Sequence, residues 1–377
     1  MDNYLKILFS SLVLSTTQGM LFAFLPIYAY EISGKFASAG YIFSLPSIIL
    51  VIMTFGWGSI SDRLGKRKSV IIATNIIASL MYFLFAQATI VWLIVLRCIQ
   101  TFFYSSYILV PAIITEYFPS SKGRALGKYN VATGLGWTIG AIISGHAAHV
   151  GFGFFFAVTG CLSVLFCISF FFVKDLPREK DTRKFKEFLI FGESKRILLL
   201  CLYAFVLMTG GSMLSSLFNV YLSNLGVSKE FIGYVTSLTS LTFLLVADAV
   251  GKACDNWGRK PLLLITPLLY MGMWLGIGLL ENLYVKILLW VLPFYALFIT
   301  ASTSAVSDLT SNKERGRGIG ILNSSIGFGN FAGGIVGGNL ADFFGPKNTF
   351  LTASLFAVMG FFISLKMEET KEMTIEA

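Results

Sequence analysis

Gly58-Ser59-Ile60-Ser61-Asp62-Arg63-Leu64-Gly65-Lys66-Arg67-Lys68 and Gly251-Lys252-Ala253-Cys254-Asp255-Asn256-Trp257-Gly258-Arg259-Lys260 decide the fold, because they repeat one GxxxDxxG pattern at a spacing of 193 residues. Each stretch breaks a long apolar sequence with a burst of charge. Glycines at these places permit a tight turn and close helix contact, the carboxylate needs a partner, and the Lys/Arg cluster favours the cytoplasmic face of a bilayer.

The same offset holds on both sides of the pattern. Tyr28 pairs with Tyr221, Gly40-Tyr41 with Gly233-Tyr234, Ser44-Leu45 with Ser237-Leu238, Arg124 with Arg317, Gly127 with Gly320, Gly136 with Gly329, Gly140 with Gly333 and Gly145 with Gly338. A register this long marks a duplication. Apolar runs fall near 6–29, 38–58, 69–88, 90–113, 126–147 and 153–173, then 197–221, 230–250, 262–280, 286–307, 318–340 and 347–365. Each is close to the ~20 residues that a helical span needs. The chain therefore reads as an all-α membrane protein with twelve transmembrane helices in two parallel-repeat six-helix bundles. Six is even, so the copies share one orientation and are related by an axis along the membrane normal. The expected division is an N-terminal bundle at 1–173, a cytoplasmic linker at 174–196, a C-terminal bundle at 197–365 and a cytoplasmic tail at 366–377.

Composition agrees. Of 377 residues, 55% are hydrophobic and 13% charged, against about 25% charge in soluble domains. A soluble enzyme is excluded, and the loops leave no room for a catalytic domain. The net charge of +9 is distributed among loops, so nucleic-acid binding, which needs one basic surface, is not expected. Most Lys and Arg lie in the tails and even-numbered loops; the opposite side holds Lys35, Lys229, Lys286 and Lys347, and Arg97 lies inside a span. Both termini are therefore expected on the cytoplasmic side of the cell membrane. The stretch Met1 to Lys6 and the apolar run to Tyr30 are too long for a signal peptide and read as the first span. Five cysteines without a CxxC pair argue against a disulfide framework or a zinc site.

Arg97 carries the strongest local chemistry, since an ionisable group within a span is expensive and marks function. Gln100, Thr101 and Tyr104 follow at i+3, i+4 and i+7, on one helix face. Two readings stay open: the four line a central cavity, or Arg97 snorkels to the outer surface. Ser11, Ser15 and Gln18, Ser212, Ser215 or Ser216 and Asn219, and Tyr295 and Ser302 form further polar faces, which interhelical hydrogen bonds explain equally well. His146 and His149 are spaced i, i+3 without a third ligand nearby, so no metal is expected. No GxxxxGK[ST] occurs, and Gly327-x-Gly329-x-x-Ala332 follows no strand, so neither ATP nor a dinucleotide is expected, and no cofactor.

With the paired GxxxDxxG loops and the twelve runs, the chain resembles the major facilitator superfamily of secondary transporters over essentially its whole length. The resemblance implies alternating access and a cytoplasmic gate built from Gly58, Asp62, Arg63, Gly65, Lys66 and Arg67 and from Gly251, Asp255, Gly258, Arg259 and Lys260. In it, Asp62 docks near the start of span 11 and Asp255 near that of span 5. Leu96-Arg97-Cys98-Ile99-Gln100 looks like the span-4 RxxQG motif of proton-coupled efflux members, with Thr101 in place of the glycine. The glycines from Gly134 to Gly145 and from Gly327 to Gly338 are similar to the span-5 motif of family antiporters, with Ala141 where a proline should follow Gly140. Ser15, Gln18, Arg97, Gln100, Thr101, Tyr104, Ser215, Asn219, Tyr295 and Ser302 lie on the spans that line the cavity in this family.

Proton-coupled efflux of a drug-like or amphipathic compound, by a monomer in the lipid bilayer, is the first expectation. Uptake or exchange of a sugar or organic anion, with Arg97 as counter-charge, is the second; a nontransporting sensor or scaffold is a third. Glu31, Glu116, Asp248 and Asp308 lie near membrane faces, so no acid is assigned to the coupling proton.

Overall fold

The computed structural model describes residues 3–174, 195–311 and 314–371, and every regular element among them is helical. In chain order these are α1 (Asn3–Ser33), α2 (Phe36–Leu64), α3 (Arg67–Phe85), α4 (Ile90–Tyr104), α5 (Leu109–Tyr117), α6 (Lys122–Val150) and α7 (Phe152–Phe171). The second copy gives α8 (Lys195–Ser215), α9 (Phe218–Asn224), α10 (Lys229–Trp257), α11 (Arg259–Leu279), α12 (Leu283–Val291), α13 (Phe294–Asp308) and α14 (Arg315–Leu365). All but the ends of the linker expected at 174–196 lie outside the described residues, as do Lys313 and the tail beyond Lys371.

Twelve helical segments in the expected order emerge once the broken ones are joined. A single 3-10 turn, Ser105–Ile108, links α4 to α5, and α8 and α9 run as one segment, Lys195–Asn224. α12 and α13 part at Leu292-Pro293, where proline supplies no N–H to continue the ladder. α14 is two legs hinged at Gly345, whose φ of 80° is a left-handed conformation, with Pro346 directly after it. Ten helices among the described residues are long and apolar enough to cross a membrane. α6 falls outside that set because Gly, Ser, Thr and His dilute its apolar content, and α14 counts once although it bends back.

By contact the chain divides into two units. The first takes Met1–Gly34, Ile48–Phe185 and Leu222–Leu241; the second takes Lys35–Ser47, Lys186–Tyr221 and Thr242–Ala377. α2 and α10 are thus each split between units, after Ser47 and after Leu241.

In the first unit α1 lies against α6 with backbones touching. A Cβ at Gly136 would strike the Leu12 carbonyl oxygen and lie 2.8 Å from Ser15 Cβ, and one at Gly140 would strike the Thr16 carbonyl oxygen. In the second unit α8 lies against α14 by the same rule. A Cβ at Gly329 would come 2.7 Å from the Phe205 carbonyl oxygen, and one at Gly333 would strike that of Thr209. Every partner here is related by the 193-residue offset, so the duplication read from sequence is also a duplication of contacts. Hydrocarbon gives apolar side chains no reason to leave lipid, so close van der Waals contact of this kind is what holds such helices together. Aromatic packing fills the rest of the first unit, with Phe85 edge-on to Phe156 at 5.5 Å and Phe24 6.2 Å from Phe155.

Candidate functional site

Arg97 is buried, at 8% exposure, and its guanidinium turns into the first unit instead of snorkelling outward. Nη1 donates to Gln100 Oε1, one turn along α4. Gln100 Nε2 in turn donates to the Tyr82 hydroxyl of α3 at 2.7 Å, and Gln18 Nε2 of α1 reaches the same hydroxyl at 3.3 Å. Arg97, Gln100, Tyr82 and Gln18 therefore form one hydrogen-bonded chain across three helices. Arg97 Nε has no hydrogen-bond partner, and no carboxylate among the described residues pairs with the guanidinium. A cation at this depth costs about 2.5–3.5 kcal/mol on translocon-insertion scales, and here only neutral groups solvate it.

The other members expected on this face are near at hand. Thr101 is buried, with Oγ1 3.5 Å from Gln100 Oε1. Tyr104 stacks on Tyr107 with ring centroids 4.7 Å apart. Ser15 packs against Gly136 on α6. Tyr82, the hub, was missing from the sequence reading. Asn75, Ser79 and Tyr82 run down α3 at i, i+4 and i+7, a spacing that could have exposed it. Asn75 Nδ2 donates to Ser106 Oγ at 3.0 Å, and Ser79 Oγ meets Ser163 Oγ at 2.7 Å.

The second unit holds the remaining candidates in a separate group. Asn219 is buried on α9, just past the break after α8, and Ser215 Oγ lies 3.5 Å from the Ser212 carbonyl oxygen. Ser302 is fully buried on α13, its Oγ without a hydrogen-bond partner. Tyr295 is exposed and packs beside Phe243 and Phe298 at 5.8 and 6.0 Å. Lys286, which the charge count put in an outer loop, is instead buried on α12 and donates to the Tyr221 hydroxyl at 2.6 Å.

The two GxxxDxxG loops form tight turns, with Gly65 at φ 66° and Gly258 at φ 92°. The expected close helix contact is absent at the other motif glycines, because a Cβ at Gly58 or Gly251 meets nothing within 4 Å. Arg67 bridges Asp62 at 3.3 Å and Glu116 of α5 at 2.7 Å. In the second copy Arg259 pairs with Asp308 of α13 at 2.8 Å and lies 3.6 Å from the exposed Asp255. Both ends of the second pair sit one place short of the 193-residue register, a slip that preserves the ion pair while changing its residues. Arg63 and Lys66 are exposed. Sequence reasoning also missed Glu369, which accepts from the backbone N–H groups of Arg259 and Lys260 at 2.9 and 3.0 Å and caps α11. Burial pushes its carboxyl up, but the N–H groups of Arg259, Lys371, Lys260 and Thr370 outweigh that and hold it below the usual carboxylate range.

No group of three or more His, Cys, Asp or Glu among the described residues could hold a metal.

The comparisons with known proteins agree with this architecture. An uncharacterized MFS-type transporter, MJ1560 of Methanocaldococcus jannaschii, is 24% identical over 374 residues, covering 93% of this chain and 94% of that one. A multi-drug resistance efflux pump PmrA homolog of Lactococcus lactis is 26% identical over 358 residues, covering 90% and 88%. Among solved structures, the nucleoside transporter NupG superposes with a TM-score of 0.82 at 16% identity, covering 98% of this chain and all of that one. The family model described as Major Facilitator Superfamily matches residues 7–200 and again 200–376, each match spanning one copy of the duplication, and the chain belongs to that superfamily.

Proposed function

We propose that the protein exports a small amphipathic or drug-like compound by alternating access, driven by protons moving inward, with the Arg97 chain as the polar end of the substrate cavity. The observation that carries this reading is a buried cation solvated only by neutral side chains, beside the stacked Tyr104 and Tyr107 rings. That surface offers one strong charge interaction and a flat aromatic face. A compound with an aromatic body and one acidic or electron-rich group fits both. The Lactococcus relative named as a multidrug efflux pump supports the same direction. The six-helix bundles at 1–173 and 197–365 are the moving bodies, and both termini lie in the cytoplasm. The protein works as a monomer. Asp62 and Asp255 dock on spans 11 and 5 when the cytoplasmic gate closes.

Flux into proteoliposomes tests the reading. The purified protein is expected to move an aromatic weak acid or dye against its gradient when the lumen is acidified, and Arg97→Gln to lower that flux at least tenfold while the melting temperature is retained. Flux that survives collapse of the proton gradient unchanged defeats proton drive. Absence of turnover for any drug, sugar, amino acid or organic acid would favour a sensor or scaffold.

A second reading is exchange of an organic anion, favoured because no carboxylate among the described residues pairs with Arg97. It predicts that Arg97→Lys keeps anion flux and that no proton gradient is needed.

A further inference from the structure

The duplication places two equivalent helix contacts where α2 and α10 begin. In the second unit the start of α2 meets the first leg of α14: a Cβ at Gly40 would strike the Gly334 carbonyl oxygen and come 3.2 Å from Gly338 Cα. In the first unit the start of α10 meets the end of α6: a Cβ at Gly233 would come 2.7 Å from the Ala141 carbonyl oxygen and 3.1 Å from Gly145 Cα. These partners are all related by the 193-residue offset.

The polar groups that close the two contacts are also equivalent in position and differ in chemistry. On α14, Asn339 Nδ2 donates to the Tyr41 hydroxyl at 2.9 Å, and the Asp342 carboxylate accepts from the backbone N–H groups of Phe36 and Ala37 at 2.6 and 3.0 Å. On α6 the equivalent residues are His146 and His149, the two histidines of the chain. His146 Nε2 meets the Tyr234 hydroxyl at 3.0 Å, and His149 Nδ1 lies 2.6 Å from Glu230 Oε1.

We infer that the α6–α10 contact is a proton-sensitive clasp, which acid on the side where α10 begins tightens through His149 and Glu230, while the equivalent α2–α14 contact, closed by Asp342, is insensitive to pH in the same range. This inference rests on the alternating-access reading, because a clasp matters only if the contact opens.

The surrounding charges fix the sign. Glu230 is an acceptor whatever the pH above the carboxylate range, and a histidine adds the positive partner only when protonated. Lys229, next along α10, is engaged elsewhere: its Nζ lies 3.3 Å from Glu31 of α1 and 4.4 Å from the Phe152 ring centroid of α7. His146 keeps a partner in Tyr234 in either protonation state. Among the described residues Glu230 is the carboxylate in ion-pairing distance of His149, so protonation there adds attraction. The His149 side chain is 69% exposed and that of Glu230 24%, so the effect is modest, a factor of two to five in the opening equilibrium, as for ion pairs with one exposed partner.

The test reads opening without needing the substrate. Ser237 and Ser44 are equivalent buried serines on α10 and α2 at the two contacts, Ser44 packing against Gly334. Ser237→Cys, placed in a chain whose five native cysteines are replaced, is labelled with a membrane-impermeant maleimide from the outer side at pH 8.0 and pH 5.5. The rate is compared with that of the same chain carrying His149→Gln, so that the pH dependence of the thiol cancels in the ratio. The expected result is a ratio near one at pH 8.0 and a two- to fivefold faster rate in His149→Gln at pH 5.5, with Glu230→Gln behaving alike. With Ser44→Cys as reporter, Asp342→Asn is expected to raise labelling by the same factor at both pH values. A His149→Gln to parent ratio that does not change with pH overturns the clasp. Because no solute is involved, that failure is distinct from failure of the transport reading, which shows as absence of flux in the unmodified protein.

Discussion

Tyr82 decides how the Arg97 site is held together, because two amides converge on one phenol. Replacing it by Phe removes the Gln100 Nε2 acceptor and leaves Gln18 Nε2 with Thr17 Oγ1 at 3.4 Å. A buried donor left unpaired costs about 1–3 kcal/mol in proteins generally, and about 0.6 kcal/mol is the average for membrane helices. Tyr82→Phe is therefore expected to lower stability by roughly 1 kcal/mol, read as a shift of the melting temperature in detergent, and to lower flux more than the unpartnered Ser302→Ala does. At this scale the sequence was half legible. Arg97, Gln100, Thr101 and Tyr104 stand out because charge within an apolar run and helical spacing are local properties. Tyr82 lies 64 positions from Gln18, and although its spacing from Asn75 and Ser79 marks a polar face on α3, that spacing does not say which amide the face meets.

Glycine has two uses among the helices, and substitutions separate them. Gly140→Val forces a side chain into the Thr16 carbonyl oxygen and Gly333→Val into that of Thr209. Overpacking of this kind costs about 1–3 kcal/mol or more, so each variant is expected to melt lower and express poorly. Gly58→Ala and Gly251→Ala enter open space and are expected to hold stability within about 0.5 kcal/mol, as surface substitutions do. If they nevertheless slow transport, the motif glycines serve a close approach made elsewhere in the cycle. At the α11 terminus, Glu369→Gln is expected to cost about 1 kcal/mol, the usual worth of a lost cap. The Glu369 carboxyl is depressed, so its contribution is complete above the ordinary carboxylate range near 4.3 and disappears as pH falls through the lowered value. A melting curve against pH should show the difference between wild type and Glu369→Gln closing below about pH 4. Apolar runs located most helices within a few residues, and the gap between the runs at 318–340 and 347–365 falls on the Gly345-Pro346 bend of α14.

Taken whole, the chain is a duplicated bundle whose architecture was readable because 193-residue register and apolar length are both written in the primary structure. The Lys and Arg counts support the proposal that both termini are cytoplasmic, and a reporter fused after Ala377 is then expected to be active only in the cytoplasm. What the sequence did not reveal is that α2 and α10 pass between units, since apolar length says nothing about neighbours. Their crossings differ. α2 changes unit after Ser47, one residue beyond Pro46, whose ring removes an N–H from the ladder, whereas α10 changes after Leu241 with no proline near. The proline is expected to make α2 the more flexible of the two arms at this elbow, whereas α10, without one, is expected to bend along its length. Pro46→Ala is expected to stiffen the elbow and slow the cycle without weakening solute affinity, and moving a proline to Thr239, its equivalent position, to make α10 the softer arm.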